Sequence, residues 1–250
     1  MKLKLPSGTL VDKKIPKNKF YEKLHADSGL KELFTRQVDS VVWKHKLSPA
    51  TIRLEARDGI DEIQIFEIVL RQREYSPEIL RGIDRAIPYP ILYVLRCGRE
   101  SKLAIAYKER SESDENRAVV RSYHESQWRP EDGEAGGAEF EVLHGLDLKA
   151  VYEHIVRSLV SITGESETSS ESASAQTPAS LADNLPLEEL LERKSRIEAL
   201  GRECLRLETK VRKEKQYNRQ VELNMQLQRK RKELAALRNG DSSLSGGELG

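Results

Sequence analysis

Between Gly164 and Ser180 the chain reads GESETSSESASAQTPAS, a run of serine, glutamate and alanine with almost nothing to bury. Such a composition cannot offset the entropy of ordering its backbone. A flexible linker is therefore expected over residues 163–185. Everything that folds must do so on one side of it or the other. This gives a core domain over 15–162 and a second, helical segment over 186–239, with a flexible lead-in at 1–14 and a disordered tail at 240–250. The composition agrees with that division. Hydrophobic residues make up 38% of the chain and charged residues 33%, against roughly 45–50% and about 25% in ordinary soluble domains. A compact core diluted by a polar linker and a solvated helix accounts for the difference. The net charge of +1 gives no overall bias toward nucleic acid or a membrane surface, so the local distribution of charge matters more.

Within the first segment the hydrophobic period changes twice. Phe20, Leu24, Leu30, Leu33, Phe34, Val38, Val41 and Val42 recur at helical steps between Pro16 and Lys46, which predicts two helices broken at Asp27-Ser28-Gly29. Leu47-Ser48-Pro49 should end the second, because the residue before proline avoids the helical region. TIRLEA (51–56) and EIQIFEIVLRQ (62–72) read as a β-hairpin around Arg57-Asp58-Gly59. SPEILRGIDRAIP (76–88) reads as a helix with Ser76 as cap and Pro77 in its first turn. PILYVLRC (90–97) is apolar almost throughout, as in a strand buried on both faces. Strands at 103–110 and 118–128, a Gly- and Glu-rich loop at 131–138 and a helix from Leu148 to Ile162 complete the domain. The expected fold class is α+β, a mixed or antiparallel sheet flanked by helices.

Cys97 and Cys204 lie far apart, with no metal-ligand spacing, and are expected to be reduced thiols. The N-terminal residues lack the apolar stretch of a signal peptide, and no run approaches the roughly 20 apolar residues of a membrane span. A cytoplasmic protein is expected, with no membrane contact.

One residue interrupts this pattern. In DEIQIFEIVL (61–70) an acid, Glu67, shares a strand face with Ile63, Ile65 and Val69. An unpaired carboxylate is too costly there, so it must find a cation. Arg71 lies two same-face steps away and is too distant, whereas Arg53, Arg96 or Lys108 on neighbouring strands would reach it. The alternative is chemical. The helix, hairpin, helix, strand order resembles the core of restriction-type nucleases. There, two carboxylates hold magnesium and the lysine of a Glu-x-Lys steadies the attacking water. Glu55, Asp58 or Asp61 would be the first acid, with Glu62 and Glu67 beside it. Gln64 and Val69, however, stand where that lysine belongs, so a structural ion pair is favoured, and no cofactor is expected outside the nuclease reading. Tyr123-His124-Glu125 with Trp128 looks site-like, but alternation separates His124 from its neighbours. His25, His45, His144 and His154 have no ligand spacing. Gly136-Gly137 sits in an acidic loop that would repel phosphate.

In the second segment Leu190, Ile197, Cys204 and Val211 recur every seven residues, with Leu200 and Leu207 at the complementary positions. The frame then passes through Glu214 and Asn218 to Val221 and Met225, while Leu223, Leu227, Leu234 and Leu237 follow a shifted one. A single rod and a helical hairpin both fit, packed on the chain's own domain or on a partner's helix, and self-association through 186–239 is one of the expectations. Lys210, Arg212, Lys213, Lys215, Arg219, Arg229, Lys230 and Arg231 make the segment basic. That pattern suits a solvated helix face or phosphate contact with DNA.

The blocks IPKNKFYEKL, VVWKHKLSPATI, EIQIFEIVL, IDRAIPYPILYVL, AYKER, YHESQW, GLDLKAVYEHIVRSL and KEKQYNRQVELNMQL occur in that order. Together they resemble the uncharacterised prokaryotic family filed as domain of unknown function 4391. The resemblance carries no established activity. It implies genes lying beside DNA methyltransferases and helicase-type restriction subunits, hence an accessory role in restriction-modification or phage defence. Trp43, Glu67, Pro88, Tyr107, Lys108 and Trp128 stand in or beside those blocks as structural or functional candidates. The expected function is a non-enzymatic interaction protein docking through its C-terminal helix. The alternatives are a divergent magnesium-dependent nuclease and a nucleic-acid binder.

Overall fold

The apolar runs around Glu67 and Val94 pair side by side at the centre of one mixed sheet. The computed structural model describes residues 2–24, 27–110, 118–131, 139–164 and 185–239. It falls into two compact units, Met1–Ser169 and Ser170–Gly250. In chain order the first unit holds β1 (Lys2–Lys4), β2 (Leu10–Lys14), α1 (Lys17–Leu24), α2 (Ser28–Gln37), β3 (Val38–Leu47), α3 (Pro49–Ile52), β4 (Ile63–Leu70) and α4 (Glu78–Ala86). It continues with β5 (Ile91–Cys97), β6 (Glu100–Arg110), β7 (Ala118–Glu125), β8 (Arg129–Pro130), β9 (Glu139–Glu141) and α5 (Leu148–Gly164). The second unit holds α6 (Leu187–Lys213) and α7 (Tyr217–Asn239).

The main sheet runs β2-β3-β4-β5-β6-β7, with β8 paired to β6. Only β4 and β5 are parallel within it, and α4 provides the crossover that parallel neighbours require. One face carries Phe66, Ile68, Leu70, Tyr93, Leu95 and Ala104, packed with Phe20 of α1, Phe34 of α2 and Ile79, Leu80 and Ile83 of α4. Alternation turns Ile63, Ile65, Leu92, Leu103 and Ile105 to the other face, and all five are fully buried. On that side Tyr107 stacks on Tyr152 of α5, ring centres 6.2 Å apart. The Tyr152 hydroxyl accepts from the Lys108 amide at 2.7 Å and donates to the Ala106 carbonyl at 2.8 Å.

Three expectations are corrected. The second predicted helix stops at Gln37, and 38–47 is a strand paired antiparallel to β4. Register shifts between Val38 and Ser40 and between Trp43 and His45 mark bulges. They place the apolar residues at helix-like steps although the β-branched and aromatic content favours a strand. Residues 51–56 are not the hairpin partner of β4. Ser48 and Thr51 form a capping box around Pro49 that starts the short α3, and Arg53 then turns left-handed at φ 57°. The lead-in at 1–14 is also structured: β2 pairs with β3, and β1 pairs in parallel with β9. Asp27 caps α2, accepting from the Leu30 amide at 2.8 Å. Almost all of the linker and the whole tail lie outside the described residues, as do His25 and the Gly136-Gly137 pair. No helix among the described residues is long and apolar enough to cross a membrane.

Candidate functional site

The acid in β4 has a partner. The Arg96 guanidinium donates to Glu67 at 3.1 Å and also pairs with Glu131. Glu131, ahead of Glu67, holds the guanidinium above its ordinary pKa against the opposing cost of burial. Arg96 was one of three candidate partners, and it reaches Glu67 because β4 and β5 run parallel, with Glu67 beside Val94 and Val69 beside Arg96. Glu67→Gln keeps the shape and removes the charge, while Arg96 retains Glu131. A loss of about 1 kcal/mol follows, read as a fall of a few degrees in Tm. An unchanged Tm would contradict the structural pairing.

The other acids of the nuclease reading go elsewhere. Glu62 pairs with Lys46 and accepts from Gln64. It sits five residues from Glu67 on the other strand face, about 17 Å along the chain at strand spacing. Glu55 is exposed, and its carbonyl receives the Leu148 amide. Asp58 pairs with Lys149 at 2.7 Å, and Asp61 is exposed. Among the described residues no three His, Cys, Asp or Glu side chains are grouped to hold a metal. His45 hydrogen-bonds Thr9 Oγ1 at 2.9 Å, and His124 meets Ser122 at 2.8 Å. The rings of His144 and His154 come within 4.6 Å of each other, a proximity that their spacing in sequence did not suggest.

The most deeply buried charges are a pair the sequence did not link. Lys108 Nζ lies 2.9 Å from Asp84 Oδ1, with the two side chains 2% and 0% exposed. It also donates to the carbonyls of Ile87 at 2.8 Å and Tyr89 at 2.7 Å, on either side of Pro88. The ammonium is thus held by two carbonyl hydrogen bonds and one ion pair. Tyr123 donates to the second Asp84 oxygen at 2.5 Å. Burial lowers the Lys108 pKa, with Asp84 opposing, and burial followed by Asp84 raises that of Tyr123. Beside the pair lies a cleft of about 340 Å³ lined in part by Arg81, Arg85 and Tyr123. Both arginines pair with Glu78, at 2.6 and 3.2 Å. The network fastens the end of α4 to β6 and β7.

A second lysine on the same face of β6 is also enclosed. Lys102 pairs with Glu125 and lies 4.9 Å from the Tyr75 ring centre and 5.4 Å from that of Trp128. Tyr75 donates to Glu125 at 2.5 Å, and burial, then Glu125, raises its pKa. Trp128 therefore screens a cation. Trp43 donates to the His45 carbonyl at 3.0 Å and lines an apolar cleft of about 320 Å³ with Ile15, Phe20 and Ile87.

In the second unit α6 and α7 form an antiparallel hairpin. Arg193 donates to the Leu237 carbonyl at 3.0 and 2.7 Å, Arg196 pairs with Glu233 at 3.2 Å, and Lys230 with Glu203 at 3.3 Å. Nearer the turn, Arg231 pairs with Glu208 at 2.8 Å, and Gln220 donates to the Val211 carbonyl at 3.3 Å. In α6 the sevenfold seam is the buried one and in α7 the shifted frame is: Cys204 and Leu207 pack with Leu223 and Leu227. The turn falls at Glu214–Gln216, inside the KEKQYNRQ interruption. There the Glu214 carboxylate accepts from the amides of Lys215 at 2.9 Å and Gln216 at 3.0 Å. These bonds, Gln216's first, hold its pKa below the ordinary value. Outside the seam Leu205, Val221 and Met225 are 64%, 41% and 69% exposed. Val221 and Met225 line a surface cleft of about 440 Å³ with Asn224, Gln228, Arg229 and Lys232. Of the basic residues singled out in the sequence, Lys230 and Arg231 hold the hairpin together and Arg219 pairs with Glu214 at 3.6 Å. Lys210, Arg212, Lys213 and Lys215 are exposed around the turn.

Compared with known proteins, the chain matches no curated protein and no solved structure. A family model does match, and it spans residues 3–234, taking in the sheet, α5 and nearly all of the hairpin. With most of both units inside that span, the chain belongs to the family described as Domain of unknown function (DUF4391).

Proposed function

We propose that the chain is a cytoplasmic, non-enzymatic accessory protein of a DNA restriction-modification or phage-defence complex, docking on a methyltransferase or helicase-type subunit through the α6–α7 hairpin. One observation carries this reading. The hairpin buries Leu200, Cys204, Leu207 and Leu227, with Leu223 packed beside the last three, yet Val221 and Met225 of α7 stay 41% and 69% exposed. Val221 and Met225, four residues apart on one helix face, offer the apolar surface that a partner helix or groove would cover. The core domain supports the same reading from the other side, since its buried lysines are engaged by its own acids, carbonyls and aromatic rings. The choice of a DNA-modifying partner rests on the resemblance stated above.

The test is the full chain carrying Val221→Glu and Met225→Glu, tagged and recovered from the native host. The wild type is expected to bring down a methyltransferase or helicase subunit, and the variant to lose it with its circular dichroism unchanged. Recovery of the same subunit by both proteins would contradict the assignment of the surface.

A further inference from the structure

We infer that the tip of the hairpin is a second, separate binding site, one that takes the phosphodiester backbone of nucleic acid. The observation is where charge is left uncompensated. Along the body of the hairpin several cations are answered: Arg196 by Glu233, Lys230 by Glu203, Arg231 by Glu208, and Arg193 by the Leu237 carbonyl. From Thr209 to Val221 the sequence holds five cations, Lys210, Arg212, Lys213, Lys215 and Arg219, and one acid, Glu214. That acid is already engaged by two backbone amides and by Arg219. Among the described residues no carboxylate pairs with Lys210, Arg212, Lys213 or Lys215.

A helix dipole explains part of this and not the whole. Lys210, Arg212 and Lys213 fall in the last turn of α6, where cations are favoured. The dipole there amounts to only about half a charge, and Lys215 lies beyond the helix end. Folding the chain back at Glu214–Gln216 also brings the start of α7 beside these residues. That places Tyr217, 76% exposed, at the same tip. Four free cations with an exposed aromatic ring fit a polyanion that carries bases to stack on. An acidic peptide matches the charge and leaves the ring without a role.

The tip also separates two groups that the sequence presents as one basic segment. Phosphate contact belongs to residues 210–217, and Lys230 and Arg231 belong to the hairpin's own ion pairs.

The experiment measures anisotropy of labelled single-stranded and duplex 30-mers with the full chain across a salt series. One variant carries Lys210, Arg212, Lys213 and Lys215 all changed to Gln. Its charge-matched control carries Lys2, Lys4, Lys13 and Lys31 changed to Gln on the core domain. The tip variant is expected to bind at least ~10-fold more weakly, with the log–log salt slope reduced by about 3, and the control to bind as wild type. Tyr217→Ala should weaken the single strand and spare the duplex. Equal losses in tip variant and control, no binding by wild type at 50 mM salt, or tighter binding of a glutamate-rich peptide than of either oligonucleotide would overturn the proposal. The docking surface at Val221 and Met225 stands or falls independently of this result.

Discussion

Lys108→Met should destabilise the core domain by about 3–5 kcal/mol, seen as a lower urea midpoint with the slope unchanged. Methionine fills much the same volume, so the loss is electrostatic. Removing the ammonium leaves the Asp84 carboxylate, with a side chain that is 0% exposed, without its cation, although the Tyr123 hydroxyl still donates to it. The Ile87 and Tyr89 carbonyls lose their donor at the same time. A buried charge without its partner costs far more than the pair contributes over an apolar substitute. The double variant Asp84→Leu/Lys108→Met should therefore recover part of the loss. A single-variant effect below about 1 kcal/mol would mean that water reaches the pair and that the network does not fasten α4.

Gly145→Ala should cost about 2–4 kcal/mol, although it adds one methyl group to an exposed residue. Gly145 has φ 148°, and a Cβ there would sit 2.7 Å from the Ala150 Cβ and 2.9 Å from the Ala150 carbonyl carbon and the Val151 nitrogen. The first turn of α5 cannot retreat freely. Asp147 accepts from the Ala150 amide at 2.8 Å, and the Leu148 amide is held by the Glu55 carbonyl at 2.9 Å. Displacing that turn loosens Val151, Tyr152 and Ile155, which are buried. Gly98→Ala is the control: φ is 60° and nothing lies within 4 Å, so only the left-handed backbone cost of about 1–2 kcal/mol applies. Equal effects at both glycines on urea unfolding would refute the steric account.

The elements legible in sequence were those whose local chemistry and tertiary role agree. β5 is apolar because both of its faces are covered. α4 and α5 carry their stripes at helical spacing, and the seam through Leu200, Cys204 and Leu207 is the one that packs. β3 was illegible because two bulges shift its side chains off period two, so Val38, Val41 and Val42 imitate a helix. The chain at 51–56 was misread because the Ser48–Thr51 capping box outweighs its alternating pattern. Glu67 could be narrowed to three candidate cations but not assigned, since the choice depends on strand order. Asp84 reads in sequence as one charged residue on a helix, and only the crossover between β4 and β5 brings it to Lys108. The division of the basic segment was likewise out of reach. Lys230 and Lys213 look alike until the hairpin turn sets acids beside one and none beside the other.

The most direct test of the docking account is a tagged pull-down from the native host, comparing the full chain with one ending at Gly164, the last residue of α5. Recovered proteins would be identified by mass spectrometry. The account predicts that a methyltransferase or helicase-type subunit is recovered with the full chain and is absent with the shortened one. Recovery of that subunit in equal yield with both would place the docking surface on the core domain and contradict the role assigned to the hairpin.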